Sequence, residues 1–300
     1  MSKKVETSMV SKYTARLGRH SVMFADPRPT SAEMAKFYAE EYYQTQQGSY
    51  RHQYTTDELE YFANEAVLSE HVASKTFSAI KHLYDIGCGE GFFANYFYKK
   101  KWEIKLNDIS DWGIREFNPH LSKYLHKGEF LDVVKFFEKR DCLINLSNVL
   151  EHVINPGELL ETLRDELMTH NSLIRISVPN DYSKFQNFLI SSEMAENTWF
   201  CPPQHLNYFN SDNISHFLRE YNFEIVKMIG TFPVEVFLAN KHSNYHEDKS
   251  KGKGAHEARV RVFNYLFSNF RLDECIDYLE SSTKVSLARD LVIFAKKRKV

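Results

Sequence analysis

The chain has 300 residues, 43% of them hydrophobic, with a formal net charge of −2. This suffices for one large α/β unit with embellishments or two small ones, and it excludes the global positive field that draws a protein to nucleic acid or an anionic membrane. Cys88, Cys142, Cys201 and Cys275 are too scattered for a disulfide framework or a zinc motif, no stretch reaches the roughly 20 apolar residues of a membrane span, and Met1-Ser2-Lys3-Lys4-Val5-Glu6 lacks a signal core, so a reducing cytoplasm is the expected setting.

Residues 1–23 are polar and mixed, and read as poorly ordered or as an edge hairpin. Phe24-Ala25-Asp26-Pro27-Arg28-Pro29-Thr30 is a proline-stiffened turn, after which Thr30 or Ser31 caps a helix carrying Met34, Phe37 and Tyr38, followed by Tyr42 and Tyr43. A polar, aromatic loop over 44–54 holds Tyr50, Arg51 and His52. Residues 57–80 read as helix, with Leu59, Phe62, Ala66 and Ala73 on one face.

Everything downstream is ordered by Leu83-Tyr84-Asp85-Ile86-Gly87-Cys88-Gly89-Glu90-Gly91. An apolar strand runs into three alternating glycines, and Phe92, Phe93, Tyr96 and Phe97 follow at helical spacing. Glycines allow a sharp turn and close approach to a ligand, at which the following helix points its unpaired N–H groups. The dinucleotide fingerprint wants its third glycine at the position of Phe92, so the match to that class is imperfect. A second strand, Ile104–Ser110, contains Asp108, near the ~20-residue spacing at which an acid meets a ribose diol; a helix cap is the competing role. A short third strand near Tyr124 leads to Gly128-Glu129-Phe130-Leu131-Asp132. The run Asp141–Val153 contains a buried fourth strand, and Asn155-Pro156 starts a helix with Leu159, Leu160, Leu163 and Leu167 inward.

Ser172–Asn180 is the fifth strand. Residues 181–203 read as irregular and aromatic, and Pro202-Pro203-Gln204-His205-Leu206-Asn207-Tyr208-Phe209 follows. Ser211 is expected to cap a helix with Ile214, Phe217, Leu218 and Tyr221, ahead of a sixth strand at Asn222–Val226. The seventh strand, Leu291–Ala295, comes only after about sixty further residues, more than a hairpin needs. Within these, His242–His256 reads as a mobile polar segment, and two helices carry Val260, Phe263, Phe267 and Phe270, then Leu272, Cys275, Ile276 and Leu279. Lys296-Lys297-Arg298-Lys299 reads as a solvated basic end.

Asp85-x-Gly87-x-Gly89-x-Gly91, together with Asn148-Val149-Leu150-Glu151-His152-Val153, resembles the class I, Rossmann-like S-adenosylmethionine (SAM) methyltransferases. The proline-helix-Tyr-Tyr lead-in and the Pro202–Phe209 stretch are similar to the small-molecule and sugar methyltransferases of surface-polysaccharide and deoxysugar pathways. Ubiquinone-type O-methyltransferases are a second likeness. Many relatives carry a cysteine zinc ribbon upstream, and no cysteine stands there here. The resemblance implies an α/β fold: a seven-stranded, mostly parallel sheet with helices on both faces. Its parts would be a lead-in (1–80), a SAM-binding core (81–230), a helical insertion that caps the acceptor pocket or forms a dimer face (231–288), and the last strand with its tail (289–300).

Carried residue by residue, the resemblance puts SAM against Asp85, Gly87, Cys88, Gly89 and Gly91. Asp108 and Ile109 would meet the ribose, and Glu129 and Phe130 the adenine, with Asp132 competing. Ser147 and Asn148 would close the strand-4 edge, and Tyr50 and Arg51 would fold over the cofactor, Arg51 pairing with its carboxylate. An acceptor hydroxyl must lose a proton, and histidine suits a base. His205 is favoured, with Tyr208 three residues on; His152, beside Glu151, is the second candidate. Some ubiquinone-type relatives bind a metal through an acid three residues before their Glu-His pair. Asn148 occupies that position, so no metal is expected. The expected partner is a small sugar-like acceptor, with a homodimer open. Competing functions are O- or N-methylation of an aromatic, quinone-like or secondary metabolite, a SAM-binding pseudoenzyme subunit and, more distantly, a nicotinamide oxidoreductase.

Overall fold

In a computed structural model, residues 12–37 and 53–299 are described. Tyr38, Tyr42, Tyr43, Tyr50, Arg51 and His52 therefore lie outside the described residues. Two strands, β1 (Thr14–Leu17) and β2 (Met23–Asp26), form the edge hairpin. Helix α1 (Ser31–Phe37) starts at Thr30, whose hydroxyl accepts from the Glu33 amide while the Glu33 carboxylate accepts from the Thr30 amide. Thr55 and Glu58 repeat this capping box at α2 (Thr56–Thr76). The α2 face turned inward holds Tyr61, Ala66, Leu68, Val72 and Ala73; Leu59, expected there, is exposed.

The central sheet then builds up as β3 (His82–Ile86), α3 (Phe92–Lys99), β4 (Glu103–Asp108), α4 (Trp112–Phe117), β5 (Leu125–Lys127), the single turn α5 (Phe130–Val133), β6 (Leu143–Ser147), α6 (Pro156–Thr162) and β7 (Leu173–Pro179). Residues 181–203 are not irregular throughout. They contain α7 (Lys184–Ser191), whose first turn is capped by the Ser183 hydroxyl accepting from the Gln186 amide. After β8 (Asn207–Tyr208) comes α8 (Ile214–Glu220), which Ser211 does not cap; the side chains of Asn210 and Asn213 close that turn instead. Then follow β9 (Phe223–Gly230), α9 (Gly252–Asn269), α10 (Leu272–Lys284) and β10 (Asp290–Lys297). His242–His256, expected as a mobile segment, is folded into turns around buried Asn244, whose amide donates to the Met194 and Leu238 carbonyls.

The seven strands lie in the order β5-β4-β3-β6-β7-β10-β9. All are parallel except β10, which runs antiparallel to both β7 and β9. Chain order reverses between β3 and β6, and a crevice opens there at the carboxyl ends of the strands. Helices α2, α3, α9 and α10 cover one face. Val260, Phe263, Ile276 and Leu279 of the insertion share a core with Leu83, Leu106, Val292 and Phe294 of the sheet, so the insertion is part of the sheet's cover. The other face packs on residues of α6 and α8, among them Leu159, Leu160, Ile214, Phe217 and Leu218. No described helix is long and apolar enough to cross a membrane.

A second sheet, β1-β2-β8, ties the lead-in to the segment after β7. Asn207 is its clamp. The side-chain amide donates to the carbonyls of Leu150 and Val153, and its oxygen accepts from Arg28, which also donates to the Leu206 carbonyl. Asn207→Ala removes the side-chain donors from two carbonyls at a buried position. It should cost about 1–3 kcal/mol of stability, read as a lower urea midpoint; an unchanged midpoint would show that the clamp contributes nothing.

Candidate active site

The glycine loop is shaped by two different demands. Gly87 has φ +71°, and a Cβ there would lie 2.5 Å from Val149 Cγ2, so strand β6's extension excludes any side chain. Gly89 has φ +53° and nothing within 4 Å of where a Cβ would stand: its neighbour is open space on the cleft side. The amides of Gly87 and Cys88 both donate to the Asn107 carbonyl, at 2.8 and 3.0 Å. Asp108 holds the loop from below, accepting from the Gly89 amide and the Ser110 amide, each at 2.9 Å.

Asp85 lies at the cleft floor, 1% exposed. Asn145 donates to one of its oxygens at 2.6 Å, and the other oxygen is buried without a partner among the described residues. Burial pushes this carboxyl up to about 6, partly offset by Asn145 and Arg175. The cleft has a volume of about 950 Å³, and Cys88, Ile109, Glu129, Phe130, Asp132, Ser147 and Asn148 line it.

Along the same cleft, beyond β6, Glu151, His152 and His205 converge. The imidazoles of His152 and His205 sit edge to face at 4.9 Å. His152 Nδ1 donates to the Gln204 carbonyl at 2.5 Å, which leaves Nε2 as the acceptor nitrogen of the neutral ring. Burial first, then the neighbouring His205, pull His152 down to about 3. Glu151 is 1% exposed with one unpartnered oxygen, and burial pushes it up to about 8. His205 behaves oppositely. Burial lowers it, but Asp181, Cys201 and Glu151 outweigh that and raise it to about 10. Its Nδ1 faces Asp181 Oδ2 at 3.8 Å, an ion-pair separation rather than a hydrogen bond. One ligand atom from each of Glu151, His152 and His205 falls within 4.8 Å of the others, a spacing that admits a cation.

Tyr208 is not brought to this cleft. It is 1% exposed, and its hydroxyl donates to the His205 carbonyl and accepts from the Cys201 amide. The three-residue spacing from His205 thus makes a loop lock, not a catalytic pair. Sequence reading missed Asp181, which stands behind His205, and the cleft residues Glu65, Gln204, Thr231, Arg259, Arg289 and Asp290. Polar residues at the end of an apolar strand were the available signal for Asp181; for Arg259, on a helix about thirty residues before Asp290 and about two hundred after Tyr61, there was none.

Residues 49–228 match the family described as a methyltransferase domain, over more than half of the chain. The chain belongs to this family. A comparison of the methyltransferase with curated proteins returns no match. Among solved structures it is similar to a SAM-dependent methyltransferase from Archaeoglobus fulgidus, at 21% identity and TM-score 0.47, over 78% of this chain and 94% of that one. It is also similar to the 1,6-didemethyltoxoflavin-N1-methyltransferase of Burkholderia thailandensis, at 12% identity and TM-score 0.49, over 95% and 99%. Likeness at this level says nothing of the substrate.

The raised position of His205 is checked by NMR titration of its imidazole. The ring should remain protonated at pH 8, and Asp181→Asn should bring its midpoint down toward the unperturbed ~6.5, because the lost anion no longer favours the imidazolium. A wild-type midpoint already near that value would refute the charge assignment.

Proposed function

We propose that this methyltransferase uses SAM to methylate a hydroxyl of a polar, sugar-like small molecule. The observation that carries the reading is one continuous cleft with two chemistries. At one end lie the open Gly89 cradle and the unpartnered Asp85 oxygen; at the other lies the Glu151–His152–His205 group. When bound, SAM supplies a methyl group on a positively charged sulfur.

The cradle leaves room for the cofactor's backbone-hugging portion, and the buried Asp85 oxygen offers an acceptor for its amine. Asp108 retains lone pairs for the two ribose hydroxyls while its loop bonds keep the carboxylate aimed. Phe130, 7% exposed, presents an apolar surface to adenine, and Glu129 offers an acceptor for the exocyclic amine. Ser147, Asn148, Cys88 and Ile109 complete the wall.

On the acceptor side His205 is the base, in its neutral form, with Asp181 orienting the ring and stabilising the imidazolium once it takes the proton. Glu151, pushed up by burial, is the protonated neighbour that can hydrogen-bond an acceptor oxygen; His152 is neutral and shapes the wall. Beyond them the cleft is lined by Gln204, Thr231, Arg259, Arg289 and Asp290, which favours a polyhydroxylated acceptor over an apolar quinone.

Calorimetry with S-adenosylhomocysteine (SAH) should detect binding, and Gly89→Ala, whose Cβ would occupy the cradle, should weaken it about tenfold or more, a loss of ~1.4 kcal/mol. Absence of binding by the folded wild-type chain would end the SAM reading. In an acceptor screen with labelled SAM, His205→Ala should lower kcat about 10²-fold with SAH affinity within twofold. Because only the neutral ring accepts a proton and Glu151 must keep its own, wild-type kcat/KM should climb from neutral pH to about 8, where Glu151 deprotonates, and level off above it, and the climb should vanish in the variant. A pH-independent wild-type rate, or loss of the rate on chelation, would replace His205 with other chemistry.

A further inference from the structure

Arg259 and Arg289 reach the cleft from different elements, the inserted helix α9 and the residue before β10. Arg289 is compensated inside the protein. It donates to Glu235 at 3.1 Å and lies 3.7 Å from Asp181 and 3.8 Å from Asp290. Arg259 is not. Its nearest acid is Asp290 at 3.8 Å, its guanidinium lies 5.6 Å from the Tyr61 ring centroid, and its Nε is buried with no partner among the described residues. Asp290 is itself engaged, accepting from the Thr231 hydroxyl at 2.8 Å. A guanidinium carries five N–H donors in a fixed fork, and a buried donor without an acceptor is costly.

Topology places this pair on the acceptor side. Strand β10 stands three positions from β3 in the sheet, about 14 Å at the usual spacing, and the glycine loop follows β3. Asp181 lies 3.7 Å from Arg289 on one side and 3.8 Å from His205 on the other, so the pair abuts the base.

We propose that Arg259 and Arg289 form an anion subsite that receives a carboxylate or phosphate ester of the methyl acceptor, so that the acceptor is an acidic hydroxyl compound such as a uronic acid or a sugar phosphate. The proposal rests on the methyltransferase reading of this cleft and narrows its substrate class. Planar bidentate recognition suits either group, and an anion held there lies one residue's width from the hydroxyl to be deprotonated.

The test uses the full chain saturated with SAH, with glucuronate, glucose 6-phosphate and glucose as probes in calorimetry. Binding of an acidic sugar at least about tenfold tighter than glucose, lost in Arg259→Ala and largely kept in Arg259→Lys, supports the subsite. Equal binding of acidic and neutral sugars, no binding of either acid, or an unaffected Arg259→Ala variant overturns it. The cofactor also carries a carboxylate, so SAH is compared with 5′-methylthioadenosine, which lacks it. An Arg259→Ala loss confined to SAH would assign the arginine to the cofactor and overturn the acceptor subsite. Failure of the wild-type chain to bind SAH would instead strike the methyltransferase reading, since the acidic and neutral sugars can be compared without it.

Discussion

A row of buried polar side chains crosses the middle of the sheet, and the site depends on it. Asp85 of β3, Asn145 of β6 and Arg175 of β7 are register partners on adjacent parallel strands. Asn145 donates to Asp85, and Arg175 donates to Asn145 at 2.8 Å. Arg175 is 1% exposed, stacks over Phe93 at 5.0 Å and meets Glu65 of α2 at 3.7 Å. These groups cannot be buried singly without a large penalty, and a slip of one residue would turn them to the opposite face. The row therefore pins the register of the three strands whose carboxyl ends border the cleft, and it leaves one Asp85 oxygen at the floor with no partner among the described residues.

From that frame the two halves of the cleft differ in how they are built. The half around the glycine loop is local: the loop, Asp108 and the Asn107 carbonyl lie within some twenty residues and are joined by hydrogen bonds to backbone amides. The half around Glu151 and His205 is assembled from afar. His205 is carried on a segment that pairs with the lead-in hairpin through β8, while Glu151 receives the amides of Leu206 and Asn207 on its carbonyl, at 2.8 and 3.0 Å. The charge pattern follows. Burial and His205 pull His152 down, while Asp181, Cys201 and Glu151 raise His205.

Where sequence reading failed, a physical competitor can be named. Leu59 fits a helical stripe, yet α2 turns Tyr61, Leu68 and Val72 inward because the helix must cover both the sheet and α9. Tyr208 stands at a tempting spacing from His205, but its strand alternation sends the hydroxyl back into the loop. Ser211 has a cap's chemistry, and Asn210 and Asn213 outcompete it. The insertion, read as a cap on the acceptor pocket or a dimer face, packs an apolar stripe on the sheet and also brings Arg259 to the cleft.

The strand-turn-helix of the glycine loop and the strand sequence were determined by the sequence alone, because local backbone demands and strong apolar periodicity leave a signature in neighbouring residues. Only the tertiary structure decided that the two histidines shift in opposite directions, that Asp181 stands behind His205, and that the buried Arg259 Nε has no partner among the described residues. Those properties are set by burial and by Coulomb contact between groups far apart in the chain, and neither quantity exists until the sheet is assembled.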